Sequence, residues 1–376
     1  MLKNNISRIA LILLLLTTSL CSVSKGTKIS KEYAGINLDG DSIFVYTLSN
    51  ELGTEIEISN FGGIVMSLKL HDFNGDIKDV VLGYNDISEY IKDNKPHFGA
   101  LIGRYANRIS NACFKLDGRS YKLEINRPPH HLHGGDIKGF DRIAWKSQIV
   151  EMGHNKVLCL SHFDKDGTAG YPGNIKVEVK YSLNNRNEFK IEYNATTDRK
   201  TVLNVTNHSY FNLSGFEDST IHGHNFYINS QFFIDTDSLL IPTGEILNVD
   251  RTDFDFRKTT IIRERLKETG GFDVCYKLNK KDEEPGPAAV AYCPSTGIKM
   301  TVYTNQPGLQ FYTGNFLNSK IQGKYGQVYH KHSAFCFETQ NFPDAPNNPN
   351  FPNSVLMPED TYHHLTTYKF ELIDGL

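Results

Sequence analysis

The clearest pattern in the chain is a strict alternation of apolar and polar residues over two neighbouring stretches, 175–183 and 189–195. A period of two places alternate side chains on opposite faces of a strand, so each stretch predicts a strand with one buried face. The residues between them, 184–187, are turn formers, so the two strands are expected to form an antiparallel hairpin. A second hairpin is predicted at Asp117-Gly118, a dipeptide that suits a tight turn between short alternating runs.

Similar patterns predict many further strands and almost no helix. The expected strands are Ser42–Leu48, Thr54–Ser59, Ile64–Leu70, Asp79–Gly83, 156–163, 200–206, 225–234, 289–293, 298–304, 308–313, 334–339 and a C-terminal run in which Tyr368, Phe370 and Leu372 alternate. One short helix is expected near 260–267, and the proline- and asparagine-rich segment 341–353 is predicted to be a loop. Because no repeat and no break in composition marks a second domain, residues 25–376 are predicted to form one all-β domain, a large antiparallel β-sandwich.

The N-terminus has a different pattern. Two basic residues precede an apolar run from Ile9 to Leu16, and small residues follow it. This arrangement is typical of a secretory signal peptide, here residues 1–24, and the run is too short to span a bilayer. The expected location is therefore secreted or periplasmic, and cytoplasmic if the segment is not a signal. A lipid anchor at Cys21 stays open as an alternative.

Composition supports strands and excludes some partners. The 376 residues include 23 Phe and 19 Tyr, and aromatic and β-branched residues favour strands. The net charge of −3 gives no bulk attraction to nucleic acid. Five cysteines after the signal, Cys113, Cys159, Cys275, Cys293 and Cys336, are scattered and odd in number. They predict buried thiols rather than a disulfide framework.

Several short segments place polar side chains in otherwise apolar surroundings. They contribute Asn107, Arg108, His133, His208, Ser209, Tyr210, Asp273, Gln310 and Glu338. Glu338 follows the run 335–337 of an aromatic strand, where burial would raise the pKa of its carboxyl and a cation would lower it. Spacing alone also allows an exposed glutamate on the outer face of that strand. The histidines titrate near neutrality and suit proton transfer, although structural histidines are common.

Metal and nucleotide chemistry is not predicted. Three pairs of histidines with one residue between them, His131/His133, His222/His224 and His330/His332, would share one face of a strand. No third and fourth ligand follows at a suitable distance, so we expect no metal site. No phosphate-binding glycine loop and no nucleophile-elbow serine motif is present, and no cofactor is expected.

Taken in order along the chain, the polar motifs resemble those of the aldose 1-epimerases, or galactose mutarotases. The motifs are Phe61-Gly62-Gly63, Asp79 to Gly83, Gly103 to Ile109, Leu132-His133-Gly134-Gly135, Gly170-Tyr171-Pro172-Gly173, Asn207 to Leu213, Ile241 to Gly244, Gln310 to Asn315 and Glu338-Thr339-Gln340. The resemblance runs from about Ser42 to the C-terminus and implies the same antiparallel β-sandwich. The sequence departs from the family at His130 and His131, where relatives often carry polar residues such as Asn, and in its N-terminal segment.

The resemblance also implies a function and residue roles. Glu338 would be the general base and His208 the general acid in interconverting the α and β anomers of hexoses such as galactose and glucose. Asn107, Arg108, His133, Asp273 and Gln310 would line the sugar site, with Ser209 and Tyr210 beside it. We expect a monomer acting on a small-molecule aldose without a metal or nucleotide. A non-catalytic carbohydrate-binding domain, a glycoside hydrolase with Asp273 and Glu338 as its carboxylates, and an epimerase of phosphorylated hexoses stay open as alternatives.

Overall fold

The computed structural model describes residues 26–153, 155–280 and 284–373. Strands dominate this part of the chain, and the paired strands run antiparallel. The first strands are β1 (Lys28–Ile36), β2 (Ser42–Ser49), β3 (Glu55–Ser59), β4 (Val65–His71), β5 (Ile77–Asp79), β6 (Leu101–Ile102), β7 (Arg108–Ile109), β8 (Cys113–Leu116), β9 (Arg119–Lys122), β10 (His131–Leu132), β11 (Lys146–Met152), β12 (Asn155–Asp164), β13 (Ile175–Leu183) and β14 (Glu188–Thr197). The remaining strands are β15 (Thr201–Val202), β16 (Thr206–Asn207), β17 (Asn225–Ile228), β18 (Ser230–Thr236), β19 (Pro242–Asn248), β20 (Thr260–Ile261), β21 (Asp273–Leu278), β22 (Gly286–Tyr292), β23 (Ile298–Thr304), β24 (Gly308–Tyr312), β25 (Ile321–Gln322), β26 (Val328–Tyr329), β27 (Cys336–Gln340), β28 (Val355–Leu356) and β29 (Tyr362–Leu372).

Helices are short. The α-helices of the described residues are α1 (Ile87–Lys92) and α2 (Ile262–Thr269). Single 3-10 turns lie at Ser110–Ala112, Phe140–Arg142, Thr168–Gly170, Ile221–Gly223, Lys324–Gly326 and Ala345–Asn347. Helix α2 is the one predicted near 260–267, and it ends at Gly270, whose positive φ of 72° suits a helix C-terminus. Within the described ranges no helix has the length and apolarity needed to cross a membrane.

Three sheets carry the architecture. The largest has nine strands in the order β11-β12-β13-β14-β29-β23-β22-β17-β20, and a five-stranded sheet has the order β19-β18-β21-β24-β27. Strands β1 to β5 form a further sheet in chain order. The predicted hairpins are present as β13–β14 and β8–β9. The prediction of an all-β fold built from large antiparallel sheets is confirmed.

The core joins the sheets because alternate side chains of their strands meet. Phe311 of β24 and Phe337 of β27 belong to the same buried cluster as Val302 of β23 and Phe370 of β29. That cluster extends along the chain from Tyr46 to Phe370. Its continuity supports our proposal that the chain after the N-terminal segment is one domain. The predicted signal, residues 1–24, lies outside the described residues.

Three predicted strands differ from the observed ones. The segment predicted as one strand at 79–83 leaves β5 after Asp79. The next residues are buried; the Val80 N–H still donates to the Leu68 carbonyl of β4, and residues 80–82 otherwise pair with the backbone of 210–212. The segment 200–206 divides into the short strands β15 and β16. The segment 225–234 divides at Asn229 into β17 and β18, which lie in different sheets. In residues 80–82 and 201–206 burial of consecutive residues gives the same apolar pattern as a continuous strand, whereas in residues 225–230 the alternation of burial continues through the change of sheet.

The cysteines of the described residues are free thiols. Cys159, Cys275, Cys293 and Cys336 are buried, as predicted. Cys113 is only half-buried, because it begins the outer hairpin strand β8. Cys21 lies outside the described residues.

Candidate active site

A cavity of about 770 Å³ opens beside the sheet β19-β18-β21-β24-β27. It collects nearly all the residues that the sequence singled out, although they are far apart along the chain. Those that line it are Asn107, Arg108, His133, His208, Tyr210, Asp273, Gln310 and Glu338. Its size lies in the range of small-molecule sites, and charged groups, amides and aromatic rings share its wall.

The floor of the cavity is a row across three adjacent strands. In the register of the sheet Cys275 of β21 pairs with Gln310 of β24, and Gln310 pairs with Glu338 of β27. Asp273 lies two residues before Cys275 and therefore on the same face. The alternate residues, such as Phe311, point into the core. Alternation on these strands thus separates a polar face, which forms the cavity floor, from an aromatic face, which anchors the sheet.

Glu338 is a buried carboxylic acid rather than an exposed one. It is 2% exposed, and its Oε2 atom is buried without a hydrogen-bond partner among the described residues. Burial raises the pKa of Glu338 well above its ordinary value, and the nearby Asp273 carboxyl adds to the rise. The alternative that Glu338 lies on an exposed face is therefore excluded.

His208 faces Glu338 across the cavity floor. Its Nε2 atom lies 3.7 Å from Glu338 Oε1, which is too long for a hydrogen bond but short enough for a proton relay through a bound group. Its Nδ1 atom lies 3.5 Å from the Cys336 Sγ, and its ring stacks on Tyr210 at 4.9 Å between centroids. Burial lowers the pKa of His208 to about 3. Burial thus favours the neutral forms of both groups, with the shared proton on Glu338.

A pair of loops places His133 beside His208, with 5.4 Å between the two ring centroids. The backbone N–H of Asn107 donates to His133 Nδ1 at 3.2 Å, and the His133 N–H donates to the Asn107 carbonyl at 3.0 Å. Since Nδ1 accepts, the proton of the neutral ring is on Nε2. Burial lowers the pKa of His133 well below its ordinary value, so the ring stays neutral. The ring lines the cavity as a hydrogen-bond donor.

Gly134 explains why this loop needs glycine. Its φ is +84°, and a Cβ atom there would lie 2.0 Å from the carbonyl oxygen of Gly103. The close approach is thus between two segments of backbone. Gly135 is likewise closed off by the side chain of Glu124. These glycines set the position of His133.

Asp273 and Gln310 form a polar pair on the floor. The Gln310 amide nitrogen donates to Asp273 Oδ1 at 2.6 Å. Burial raises the pKa of Asp273, while this hydrogen bond and the charge of Arg108 oppose the rise. The Oε1 atom of Gln310 is buried without a partner among the described residues. A ligand with hydroxyl groups would supply the donors that Gln310 Oε1 and Glu338 Oε2 lack.

The hydrogen-bond partners of Ser209 and Arg104 show what each side chain does. Ser209 does not line the cavity, because its hydroxyl donates to the Asn207 side-chain oxygen at 2.6 Å. It supports the turn beside His208, and we leave it out of the sugar contacts. Arg104, which belongs to the same motif as Arg108, is buried, and its Nε–H donates to Asp164 Oδ2 at 2.8 Å. Arg108 is the arginine that reaches the cavity.

The cavity also holds residues that the sequence analysis did not single out. His97 lines it, and its Nδ1 lies 2.9 Å from Oδ2 of the buried Asp141. His97 lies in a loop without periodicity, and 44 residues separate it from Asp141. No pattern in the sequence connects the two residues.

No group of three or more potential ligands for a metal ion occurs in the part of the chain that the structure describes. The histidine pairs noted in the sequence have other partners. His131 is held by Tyr171 and by the Glu124 carbonyl, and His224 accepts from the Leu213 N–H.

Known proteins provide an independent comparison. The family model described as aldose 1-epimerase matches residues 45–369. The galactose mutarotase of Sus scrofa is 43% identical over 84% of this chain and 91% of its own length. The aldose 1-epimerase of Haemophilus influenzae is 36% identical over 89% of this chain and 97% of its own. The crystal structure of a GalM/aldose epimerase homologue from C. elegans superposes with a TM-score of 0.81 at 30% identity, covering 92% of this chain and 100% of that one. The protein therefore belongs to the aldose 1-epimerase family.

Proposed function

We propose that this protein interconverts the α and β anomers of aldohexoses such as galactose and glucose, with Glu338 as general base and His208 as general acid. The observation that supports these roles is that the two buried groups face each other in one cavity, with 3.7 Å between His208 Nε2 and Glu338 Oε1. A buried carboxyl and a buried imidazole facing one another form a suitable pair for proton transfer to and from a sugar.

The reaction follows from the chemistry of a cyclic hemiacetal. Glu338 removes the proton from the C1 hydroxyl, the C1–O5 bond breaks, and His208 gives its proton to O5. The open aldehyde rotates about the C1–C2 bond. The steps then run in reverse with the other face of the aldehyde presented to O5, so each group regains its original proton state. No bond to the protein forms, and no electron is transferred.

Glu338 and His208 share one proton, and a bound sugar determines which of the two groups holds it. Burial places it on Glu338 when both groups face only each other. Sugar hydroxyls that donate to the Glu338 carboxylate would lower its pKa and so favour transfer of the proton to His208. Substrate binding would in this way prepare the base and the acid together.

Other residues of the cavity suit the hydroxyl groups of the ring. Asp273 and Gln310 offer acceptor oxygens side by side on the floor, and the unpartnered Gln310 Oε1 is one of them. His133 offers an Nε2–H donor beside His208, and Arg108 a positive charge. We propose that these four groups, with Asn107, orient the sugar and stabilise the charge that develops as the ring opens.

Polarimetry of freshly dissolved α-galactose and α-glucose tests the proposal. The wild-type protein is expected to speed the change of optical rotation, and E338Q and H208N to lower kcat by on the order of a thousandfold, since each removes one partner of the proton transfer. E178Q is the matched control, because the Glu178 side chain lies on the outer face of β13 and forms an ion pair with Lys180. Wild-type rates in both E338Q and H208N would refute the roles, and absence of activity in the wild type would refute the function.

The remaining alternatives give different results in the same experiments. A binding domain without turnover would bind sugar, detected by calorimetry, without changing the rate of anomerisation. A glycoside hydrolase would release nitrophenol from a nitrophenyl galactoside. Asp273 already bonds to Gln310, and this favours a role in binding over one as a second catalytic carboxylate.

We also propose that the protein is exported by residues 1–24 and acts as a monomer. The N-terminal charge and hydropathy pattern supports export. N-terminal sequencing of protein purified from its source is expected to start near residue 25, and an intact Met1 would contradict export. Sedimentation at micromolar concentration is expected to give the mass of one chain.

A further inference from the structure

A buried thiol contacts the proposed acid from the strand that carries the proposed base. Cys336 is 0% exposed, and its Sγ atom lies 3.5 Å from His208 Nδ1, within the range of a hydrogen bond to sulfur. Cys336 lies outside the set of residues that line the cavity, whereas His208 and Glu338 belong to it. The thiol therefore does not touch a sugar in the cavity, and it can influence the reaction only through His208.

Strand β27 provides a neighbour for each nitrogen of the His208 ring. Cys336 and Glu338 are two residues apart and so lie on the same face of the strand. Cys336 Sγ lies next to Nδ1, and Glu338 Oε1 lies 3.7 Å from Nε2. The backbone holds this arrangement, because the Phe211 N–H donates to the Phe335 carbonyl at 2.7 Å and the Phe335 N–H donates to the Phe211 carbonyl at 2.9 Å. The contact between thiol and imidazole is thus set by the pairing of two backbone segments.

The thiol is neutral, and it can either donate to Nδ1 or accept from it. Cys336 packs in an apolar cluster with Tyr210 and Tyr312, and burial raises the pKa of its thiol well above the ordinary value. If the S–H donates, the proton of the neutral His208 ring is on Nε2. If the Nδ1–H donates to Sγ, Nε2 carries only its lone pair and faces Glu338.

Proton transfer distinguishes the two forms of the ring. With the proton already on Nε2, protonation of the sugar O5 would leave an imidazolate, or would draw the thiol proton to Nδ1 and leave a buried thiolate. Burial opposes both anions. With the proton on Nδ1, Nε2 can take the proton that Glu338 holds, give it to O5, and leave a neutral ring. The Nδ1–H does not move in this sequence.

We propose that Cys336 is a positioning residue for anomerisation: its Sγ accepts the His208 Nδ1–H and so makes Nε2 the nitrogen that carries the shared proton. This rests on the proposed function of the site. A neutral sulfur fixes the ring without a negative charge beside it. A carboxylate at the same place would raise the pKa of the imidazole and make the imidazolium a weaker acid towards O5. No bond to sulfur forms, and no electron is transferred.

Three substitutions of Cys336 test this role by polarimetry. C336S keeps a side-chain acceptor, whereas C336A and C336V remove it, and the valine also fills the space of the sulfur. We expect kcat of C336S to stay within about threefold of the wild type, and kcat of C336A and C336V to fall about tenfold, because the ring loses the partner of its Nδ1–H. KM is expected to change less than about threefold in all three variants, since Cys336 lies outside the cavity lining.

Nuclear magnetic resonance measures the position of the ring proton directly. In protein labelled with ¹⁵N-histidine, the chemical shifts of the two ring nitrogens distinguish the protonated from the unprotonated one, and H208N identifies the His208 signals by their loss. We expect Nδ1 to be protonated in the wild type and C336S at pH 7, and the proton to move wholly or partly to Nε2 in C336A and C336V. A thiol that only fills space would not affect this proton.

Cys293 supplies the matched control. It is also buried, at 1% exposed, and its Sγ lies 3.2 Å from the Ser295 Oγ. It lies outside the residues that line the cavity. C293A therefore removes an equally buried sulfur with a polar neighbour, and we expect it to leave both kcat and the His208 nitrogen shifts unchanged.

Three outcomes would overturn the inference. A wild-type ring with its proton on Nε2 would show that sulfur does not accept from Nδ1. Wild-type kcat and nitrogen shifts in C336A or C336V, with folding checked by circular dichroism, would show that the thiol serves packing alone. A raised KM with unchanged kcat would show that Cys336 shapes the sugar site. In each outcome an active wild type still supports the proposed function, whereas an inactive wild type would refute that function and leave the ring proton measurable.

Discussion

At the scale of single residues, the proposed chemistry depends on one proton shared by Glu338 and His208. The rate should fall on the alkaline side when the pair loses that proton, and on the acid side when the pair takes up a second one. Burial raises the pKa of Glu338 and lowers that of His208 to about 3. The acid and alkaline limbs of the profile of kcat against pH are therefore expected to lie far apart in pH.

The acid limb gives the sharper prediction. Because the pKa of His208 is lowered to about 3, kcat should be nearly the same at pH 7 and pH 5, within about twofold. An ordinary histidine would halve the rate near pH 6.5. Initial rates by polarimetry between pH 4.5 and 10, with folding monitored by circular dichroism, check this. An acid limb near 6.5, or a rate that does not fall on the alkaline side, would contradict the shared-proton scheme.

The sequence revealed Glu338 and His208 for physical reasons, and it hid His97 for equally physical ones. A carboxylate in an aromatic strand is unusual in any context, so Glu338 stood out. His97 lies in a loop, and its partner Asp141 lies 44 residues away. Ser209 was included for its closeness to His208, but its hydroxyl turns to Asn207. The orientation of a side chain within a turn depends on its hydrogen bonds, and a pattern of residue types does not predict those bonds.

At the scale of elements, the register of β24 and β27 decides the character of the cavity floor. Gln310 pairs with Glu338, and Phe311 pairs with Phe337. A slip of one residue would exchange the polar face for the aromatic one. The aromatic side chains fix the register because they are fully buried in the core.

The loop after β10 allows a test of how backbone packing places His133. G134A would bring a Cβ atom to 2.0 Å from the Gly103 carbonyl, at a φ of +84°. G118A is the matched control, since its φ is +78° and nothing lies within 4 Å of the added atom. We expect G118A to lower the free energy of unfolding by about 1 kcal/mol and G134A by about 3 kcal/mol or more. Urea unfolding measures both, and kcat should fall only in G134A. Equal stability losses would show that the close approach is unimportant.

The elements themselves were predictable where one face is buried. Strands β13 and β14 were predicted almost residue by residue, because alternation sets both their period and their ends. Residues 80–82 are buried, and continuous burial does not distinguish a strand from a buried connection. The change of sheet at Asn229 was not visible for a different reason: the alternation of burial continues through it, from Phe226 and Ile228 to Ser230.

At the scale of the whole molecule, the buried histidines predict how stability depends on pH. Burial lowers the pKa of His208, His224 and His364 to about 3. In the unfolded chain each would titrate near 6.5, so below that pH the unfolded state binds more protons than the folded state. Stability is then fully present above pH 6.5 and is lost as pH falls towards 3. The raised pKa of Glu338 acts in the opposite direction, because the folded state holds that proton more tightly.

A difference measurement isolates one histidine from these opposing contributions. His224 does not line the cavity of the acid–base pair. It packs against Phe226 and Phe335, and its Nε2 accepts from the Leu213 N–H. H224Q is expected to be less stable than the wild type at pH 7, because a well-packed ring is lost. Between pH 7 and pH 5 the wild type loses about 2 kcal/mol through this one group, and H224Q does not. The gap between the two urea-unfolding free energies should therefore narrow by about 2 kcal/mol at pH 5. A gap that stays constant would mean that His224 titrates alike in the folded and unfolded chain, and that burial does not make acid sensitivity a property of this fold.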